Sequence, residues 1–560
     1  MPAVAWLGKR EVAAIALLLL VFIAIRLPGL SLPYHQDEWK NAEMVRTHLV
    51  GGLSAHPPLM ELIYRWSGEI AGADNLRLMP LAFGVLSAWL LYAVVRRRAG
   101  VYAALYATGL YAVSAYAVLA SLMLDMDGTI LPTFFLAAVY AYDRFRSATS
   151  LRGSYVWLSV LAFALIVGFL TKLSFVLVLG ALILDYLLEV HHRLTRGLLV
   201  RAAFAALGCG GIALVAIASA HFFIPSFDVS QTVMHALSYV RFEGRGYLQI
   251  LIQTVKAVFY LSPLLLVPLV LMSKDTFTKN RIFVVYLALG AFFYLILFDF
   301  SQGALDKYLM YTIVPLAALT GTIFADAIRG LTTRTLAGGA LLGVGCTALL
   351  VALNLLSPEV LPLYPKTEWL SAIAAGNWNI LMPFTGGNGP IGFYVSFLVI
   401  TAGFGISALL GLFARYTHMR KMFVVALIVV GVAFNGIFIE EYLFGRINGS
   451  APEVLRVSLA YIESADVKGI ITHADTGAYE LKGMGKYAGR FYAVPGYEEG
   501  HRALFAKHTG QYLVVDVPRL NEGGFYGRFF STCTPVFRTS SGVIMAYVYD
   551  CAGSNPYAIK

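Results

Sequence analysis

The chain has 560 residues, of which 59% are hydrophobic and only 13% charged. That balance excludes a soluble globular enzyme of this size and points to an integral membrane protein. The net charge of +10 comes from short Lys/Arg clusters between apolar segments, a positive-inside pattern rather than a nucleic-acid-binding stripe, so the bilayer is the expected partner and no nucleic acid is.

Crossing the hydrocarbon takes about 20 apolar residues. The first run, Val12 to Ile25, follows Lys9 and Arg10 as a signal peptide would, but Arg26-Leu27-Pro28 stands where a small-residue cleavage site belongs, so a retained helix is expected. With a cytoplasmic N-terminus, segments 11–27, 78–95, 101–121, 129–143, 155–170, 173–189 and 202–221 alternate across the membrane. Segments 254–272, 282–298, 309–328, 336–356, 391–413 and 423–440 continue the alternation, giving about thirteen spans. Every even-numbered return lands on Lys or Arg, which places the intervening acidic loops on the outer face of a plasma (inner) membrane protein.

From about Gly445 polar residues and turn signals take over, so residues 1–442 are expected to form the transmembrane catalytic domain and 443–560 a soluble extracytoplasmic α/β domain. Strands are expected at Gly469–His473, Phe491–Val494 and Tyr512–Val517, with a helix over Glu453–Glu463. A hairpin is expected to turn at Ser540-Ser541-Gly542. Cys533 and Cys551 each lie nine positions from Gly542, so the pairing brings them face to face, and on an oxidising side of the membrane a disulfide follows. His473, Asp475, Glu480 and His508 read as ordinary surface residues.

The first outer loop carries an adjacent acidic pair, Asp37 and Glu38, flanked by His35, Gln36, Trp39 and Lys40, and followed by His56-Pro57-Pro58. A carboxylate held at a membrane edge acts as a general base when burial or a like-charged neighbour raises its pKa; solvated surface charge is the plainer alternative. His56 is a metal ligand, a carboxylate partner or simple punctuation before a helix. Asp125-Met126-Asp127-Gly128 lies between the third and fourth segments, where two carboxylates are costly unless solvated, paired or used; an Asp-x-Asp can also share a divalent cation. Lys172 interrupts an apolar stretch, Lys307-Tyr308 precedes the tenth segment, and Arg241 and Arg245 sit in an outer loop. Basic residues facing outward run against the positive-inside bias and suggest an anionic ligand there, with snorkelling as the alternative.

This order, Asp37-Glu38, His56-Pro57-Pro58, Arg77-Leu78-x-Pro80 with Gly84, Leu124-Asp125, Lys172 and Lys307-Tyr308-Leu309, resembles the GT-C superfamily of membrane glycosyltransferases. More narrowly, it looks like the branch containing protein O-mannosyltransferases and lipid A aminoarabinose transferases. The family's D-E-x-x-Y pattern is not reproduced, since Trp39 directly follows Glu38, and either Asp125 or Asp127 can match the second acidic motif. The resemblance implies inverting transfer from a polyprenyl-phosphate-linked sugar to an acceptor lipid, glycan or protein. Asp37 would be the base, Glu38 would orient it, and Lys172, Lys307, Tyr308 and Arg241 or Arg245 would hold the lipid phosphate; His35 and His56 would shape the loop. No cofactor is required by this reading. An oligosaccharyltransferase-like alternative uses a diphosphate-linked donor and a divalent metal on Asp37, Asp125, Asp127 or His56. A second alternative, a lipid-linked sugar transporter or flippase, calls for ionisable residues deep in the spans and an inverted repeat.

Overall fold

A computed structural model describes residues 8–35, 37–47, 56–190, 196–224, 227–240, 243–299, 306–357, 367–384, 392–492, 497–508, 510–515 and 520–559. The predicted segments fall largely on helices, with two departures: 101–121 is split into two helices, and 391–413 opens on a strand, Phe393–Ser396, before the helix Phe397–Tyr416. Among the described residues eight helices are long and apolar enough to cross a membrane, and a ninth if a bent pair counts as one span. The chain divides into two compact units: residues 1–30, 40–343 and 407–435, and residues 31–39, 344–406 and 436–560.

The first unit is a helical bundle with one feature that positions the site. The third apolar segment is broken into Val101–Val113 and Ala115–Leu122, bent by 66°. A break inside lipid orphans backbone groups that must be satisfied from elsewhere in the protein. Here the fully buried Arg26 donates to the Ala112 carbonyl (3.0 Å) and to Ser121 Oγ, while Asn435 Oδ1 accepts from the Ala115 N–H (2.8 Å). Asn435 Nδ2 donates to Ser262 Oγ (2.9 Å), within a kink of the Tyr247–Leu266 helix where Ser262 has φ 63°, the one positive φ of a non-glycine residue among those described. Two broken helices are thereby joined by one amide.

Two motif residues from the sequence prove to be packing devices. Gly84 leaves room for the Phe22 ring, which a Cβ would approach to 2.9 Å. The buried Arg77 donates to the Gly29 carbonyl (3.3 Å). At one end of the bundle basic residues are tied to acids, Arg98 to Asp143 and Arg281 to Asp185 and Glu189, so they are spent on structure.

The second unit contains a short antiparallel pair, β1 (Leu381–Phe384) and β2 (Phe393–Ser396), and a five-stranded sheet. Its strands are β3 (Ile470–Thr472), β4 (Tyr487–Arg490), β5 (Gln511–Val515), β6 (Thr534–Ser541) and β7 (Ile544–Asp550), ordered β4-β3-β5-β7-β6. β3, β4 and β5 are parallel; β7 runs antiparallel to β5 and β6. The Ala451–Ser464 helix covers one face through Val454, Leu455 and Ile462 against Ile544, Ala546 and Val548; Phe505, Phe525 and Phe529 build the other core.

The expected strand at Phe491–Val494 lies earlier, at Tyr487–Arg490. Phe491 itself goes into the aromatic core, and 493–494 lie outside the described residues. Asp475 is not a free surface residue, since it pairs with Arg490, and His473 is half-buried against Phe491. The hairpin forms as expected, and Cys533 and Cys551 are bonded at its open end with Cα atoms 4.6 Å apart. Cross-linking an 18-residue separation restrains the unfolded chain by about 3 kcal/mol. Replacing both cysteines by serine is therefore expected to lower the thermal midpoint of the detergent-solubilised protein, and added reductant should reproduce the loss in wild type only; a midpoint unchanged in both cases would show the bond to be dispensable.

Candidate active site

Past the bend, Ala115–Leu122 runs into a loop that folds straight back on it. A Cβ on Gly128 would collide with the Ala120 backbone, so glycine at this position is what lets the acidic loop lie against the helix. Asn41 Nδ2 donates to the Leu124 carbonyl (3.1 Å) and Tyr64 Oη to the Asp125 carbonyl (3.3 Å). Asp125 Oδ1 accepts from the Asp127 N–H (3.0 Å). Both carboxylates are buried, and each meets a lysine from a distant segment: Asp127 with Lys172 at 2.5 Å and Asp125 with Lys307 at 3.0 Å.

Both ammonium groups lie over the Tyr308 ring, Lys172 Nζ at 4.6 Å and Lys307 Nζ at 5.5 Å from its centroid. Lys172 ends the Leu151–Thr171 helix in an extended conformation, which turns its side chain out of the apolar run. Burial works to raise the Asp125 pKa, but Lys307 and Lys172 outweigh it and hold this carboxyl below the usual range. Burial together with the Asp125 charge pushes Asp127 up. Of the two, Asp125 is the firmer anion.

Lys172 and Tyr308 also line a cavity of about 250 Å³ with His56 and His235 on its wall. The remaining wall is mainly apolar, including Val176, Leu237, Phe293 and Phe298. The His56 and His235 rings meet edge to face at 5.0 Å. Burial, then Lys172, His235 and Lys307, press the His56 pKa down to about 3, so the imidazole is neutral at ordinary pH.

The remaining candidates lie elsewhere. Arg245 is nearly buried, and its guanidinium donates to the carbonyls of Leu295 (3.0 Å), Ile296 and Phe298 (2.8 Å), capping the end of the Phe293–Leu297 turn, where it orders the cavity wall. Arg241 lies outside the described residues. Asp37, Glu38 and His35 belong to the second unit. Asp37 opens the Asp37–Arg46 helix, half-buried; Glu38 is fully buried and its carboxylate accepts from the His35 N–H (3.2 Å). Trp39 packs on Tyr479 (6.2 Å), with Lys482 at 5.9 Å and Arg490 at 5.8 Å from its ring. Among the described residues no group of three or more His, Cys, Asp or Glu side chains is placed to hold a metal ion.

Sequence reasoning missed His235, which nothing local distinguishes. It also passed over Gln253 and Lys256, although a lone lysine inside an apolar segment was a readable signal.

Residues 55–221 match the family model described as dolichyl-phosphate-mannose-protein mannosyltransferase. The structure is similar to that of ArnT from Cupriavidus metallidurans in the apo state, with 16% identity, a TM-score of 0.53, and 96% of this chain and 98% of that one covered. It is similar also to ArnT from the same organism bound to undecaprenyl phosphate, with 15% identity, a TM-score of 0.57, and coverage of 95% and 97%. A search of curated protein sequences finds no match. The fold is that of the GT-C membrane glycosyltransferases. The chain resembles the O-mannosyltransferases through its family-model match and ArnT over nearly its whole length.

His56 gives a test of the site's electrostatics. Unfolded, its imidazole takes a proton near pH 6.5; folded, it stays neutral until about pH 3. The unfolded state therefore binds more protons below pH 6.5, and stability falls with pH by up to about 1.4 kcal/mol per unit. Thermal midpoints of wild type and His56→Gln should run parallel above pH 7 and move apart, against wild type, between pH 6.5 and 5. A constant offset would mean that His56 titrates normally.

Proposed function

We propose that the protein is an inverting glycosyltransferase that moves a sugar from a polyprenyl-phosphate donor to an acceptor hydroxyl or amine at the outer face of the membrane. The observation that carries this reading is the convergence of Lys172 and Lys307 on Tyr308 beside a mainly apolar cavity. Two ammonium groups suit a phosphate, and an apolar wall suits an isoprenoid chain. The undecaprenyl phosphate bound by ArnT supports the same carrier class. The positive-inside charge pattern supports an outward-facing site in a plasma (inner) membrane and an extracytoplasmic C-terminal domain.

In this reading Asp37 removes the proton from the acceptor as its oxygen or nitrogen attacks the anomeric carbon. The bond from that carbon to the phosphate oxygen breaks with inversion, and its electron pair leaves with the lipid phosphate. Lys172 and Lys307 stabilise the charge that develops there. Their pairing with Asp127 and Asp125 holds both in place before the donor arrives, and both rest over the Tyr308 ring. Glu38 anchors the start of the Asp37 helix, and the neutral His56 offers a hydrogen bond without adding charge. Arg245 supports the cavity wall through its carbonyl contacts.

Transfer from labelled polyprenyl-phosphate sugars by purified protein in nanodiscs should fall by about 100-fold or more in Asp37→Asn. Lys172→Met should raise the donor KM and lower kcat together; undiminished transfer in Asp37→Asn removes it as the base. The reading requires no metal, so activity should survive exhaustive chelation. Loss on chelation with recovery on adding Mg²⁺ or Mn²⁺ would favour the diphosphate-linked, metal-dependent alternative.

A further inference from the structure

Gln253 and Lys256 lie one turn apart on the Tyr247–Leu266 helix, otherwise an apolar span, and each is only 7% exposed. They sit about 9 and 13 Å along the axis from the start of the helix, where ionisable and amide groups are costly and are retained for a use. Their face is defined by Tyr260, one turn beyond Lys256, whose ring stacks on Tyr116 at 5.1 Å. The helix packs against Ala115–Leu122, which leads into the acidic loop, and against Asp306–Thr312, which carries Lys307 and Tyr308. Gln253 Oε1 is buried and has no hydrogen-bond partner.

The chemistry of that orphan acceptor narrows the ligand. The phosphodiester of a polyprenyl-phosphate sugar has no proton to offer it, and an isoprenoid chain offers none at all. A sugar hydroxyl donates one proton and accepts another, which matches an amide oxygen beside an ammonium. Leaving such a group buried and unpaired costs about 1–3 kcal/mol, a cost removed when a hydroxyl arrives. Resting on the donor class proposed above, we infer that Gln253 and Lys256 form a saccharide-reading subsite that recognises the hydroxyl groups of the donor sugar, distinct from the lysines that hold its phosphate.

The test measures binding of undecaprenyl phosphate and of its mannosyl, glucosyl and arabinosyl esters to the full-length protein in nanodiscs. Wild type should bind at least one sugar-bearing ester more tightly than the sugar-free lipid. Gln253→Leu and Lys256→Met should each weaken that ester about tenfold while leaving undecaprenyl phosphate within twofold; the near-isosteric Gln253→Glu and Lys256→Arg should recover part of the loss. Equal weakening of both lipids would assign the pair to the phosphate or to folding, and no weakening would leave the amide facing water only; either result overturns the inference, as does a wild type that binds every ester no better than the bare lipid. If wild type discriminates among the lipids but transfers nothing, the transferase reading falls and the subsite stands.

Discussion

Everything in the first unit turns on two buried ion pairs, Asp125 with Lys307 and Asp127 with Lys172. Removing one partner of a buried pair typically costs about 3–5 kcal/mol, because the other charge is left uncompensated. The four residues come from three segments far apart in sequence, so the bundle must bring all three to one place before any of the charges can be buried. Both ammonium groups rest over the Tyr308 ring. The result is a set of fixed charges of both signs beside a mainly apolar cavity.

That set depends in turn on a broken helix. A straight span over 101–122 would carry the acidic loop elsewhere; the 66° bend aims it. Such a break is tolerated in lipid only when protein groups take over the freed backbone positions. Arg26, at the end of the first span, and Asn435, in the last, do so from opposite ends of the sequence. The same asparagine holds Ser262 in a backbone conformation that non-glycine residues rarely adopt. The kinked helix that results carries Gln253 and Lys256.

The second unit binds the opening acidic pair to the C-terminal fold. Tyr34, His35 and Trp39 rest on Tyr479, Thr476 and the basic residues Lys482 and Arg490. The Asp475–Gly483 helix and Arg490 thus hold the segment that carries Asp37. Glu38, fully buried and bonded to the His35 amide, is an anchor for the segment that presents its neighbour.

By itself the sequence determined the class of protein, a succession of apolar helices, the terminal hairpin and the Cys533–Cys551 bond, because hydrophobic run length and strand alternation are local properties. It also marked Asp125, Asp127, Lys172 and Lys307, since a charge beside an apolar run stands out wherever it lies. Only the tertiary structure decided how those charges pair, that Arg245 is consumed by backbone carbonyls, and that His235 shares a cavity with His56. Pairing is a property of packing between segments 45 and 182 residues apart, and no local pattern encodes it. Lys256 falls between the two cases: its residue type was visible in the sequence, but the packing of its helix against Ala115–Leu122 and Asp306–Thr312 was not.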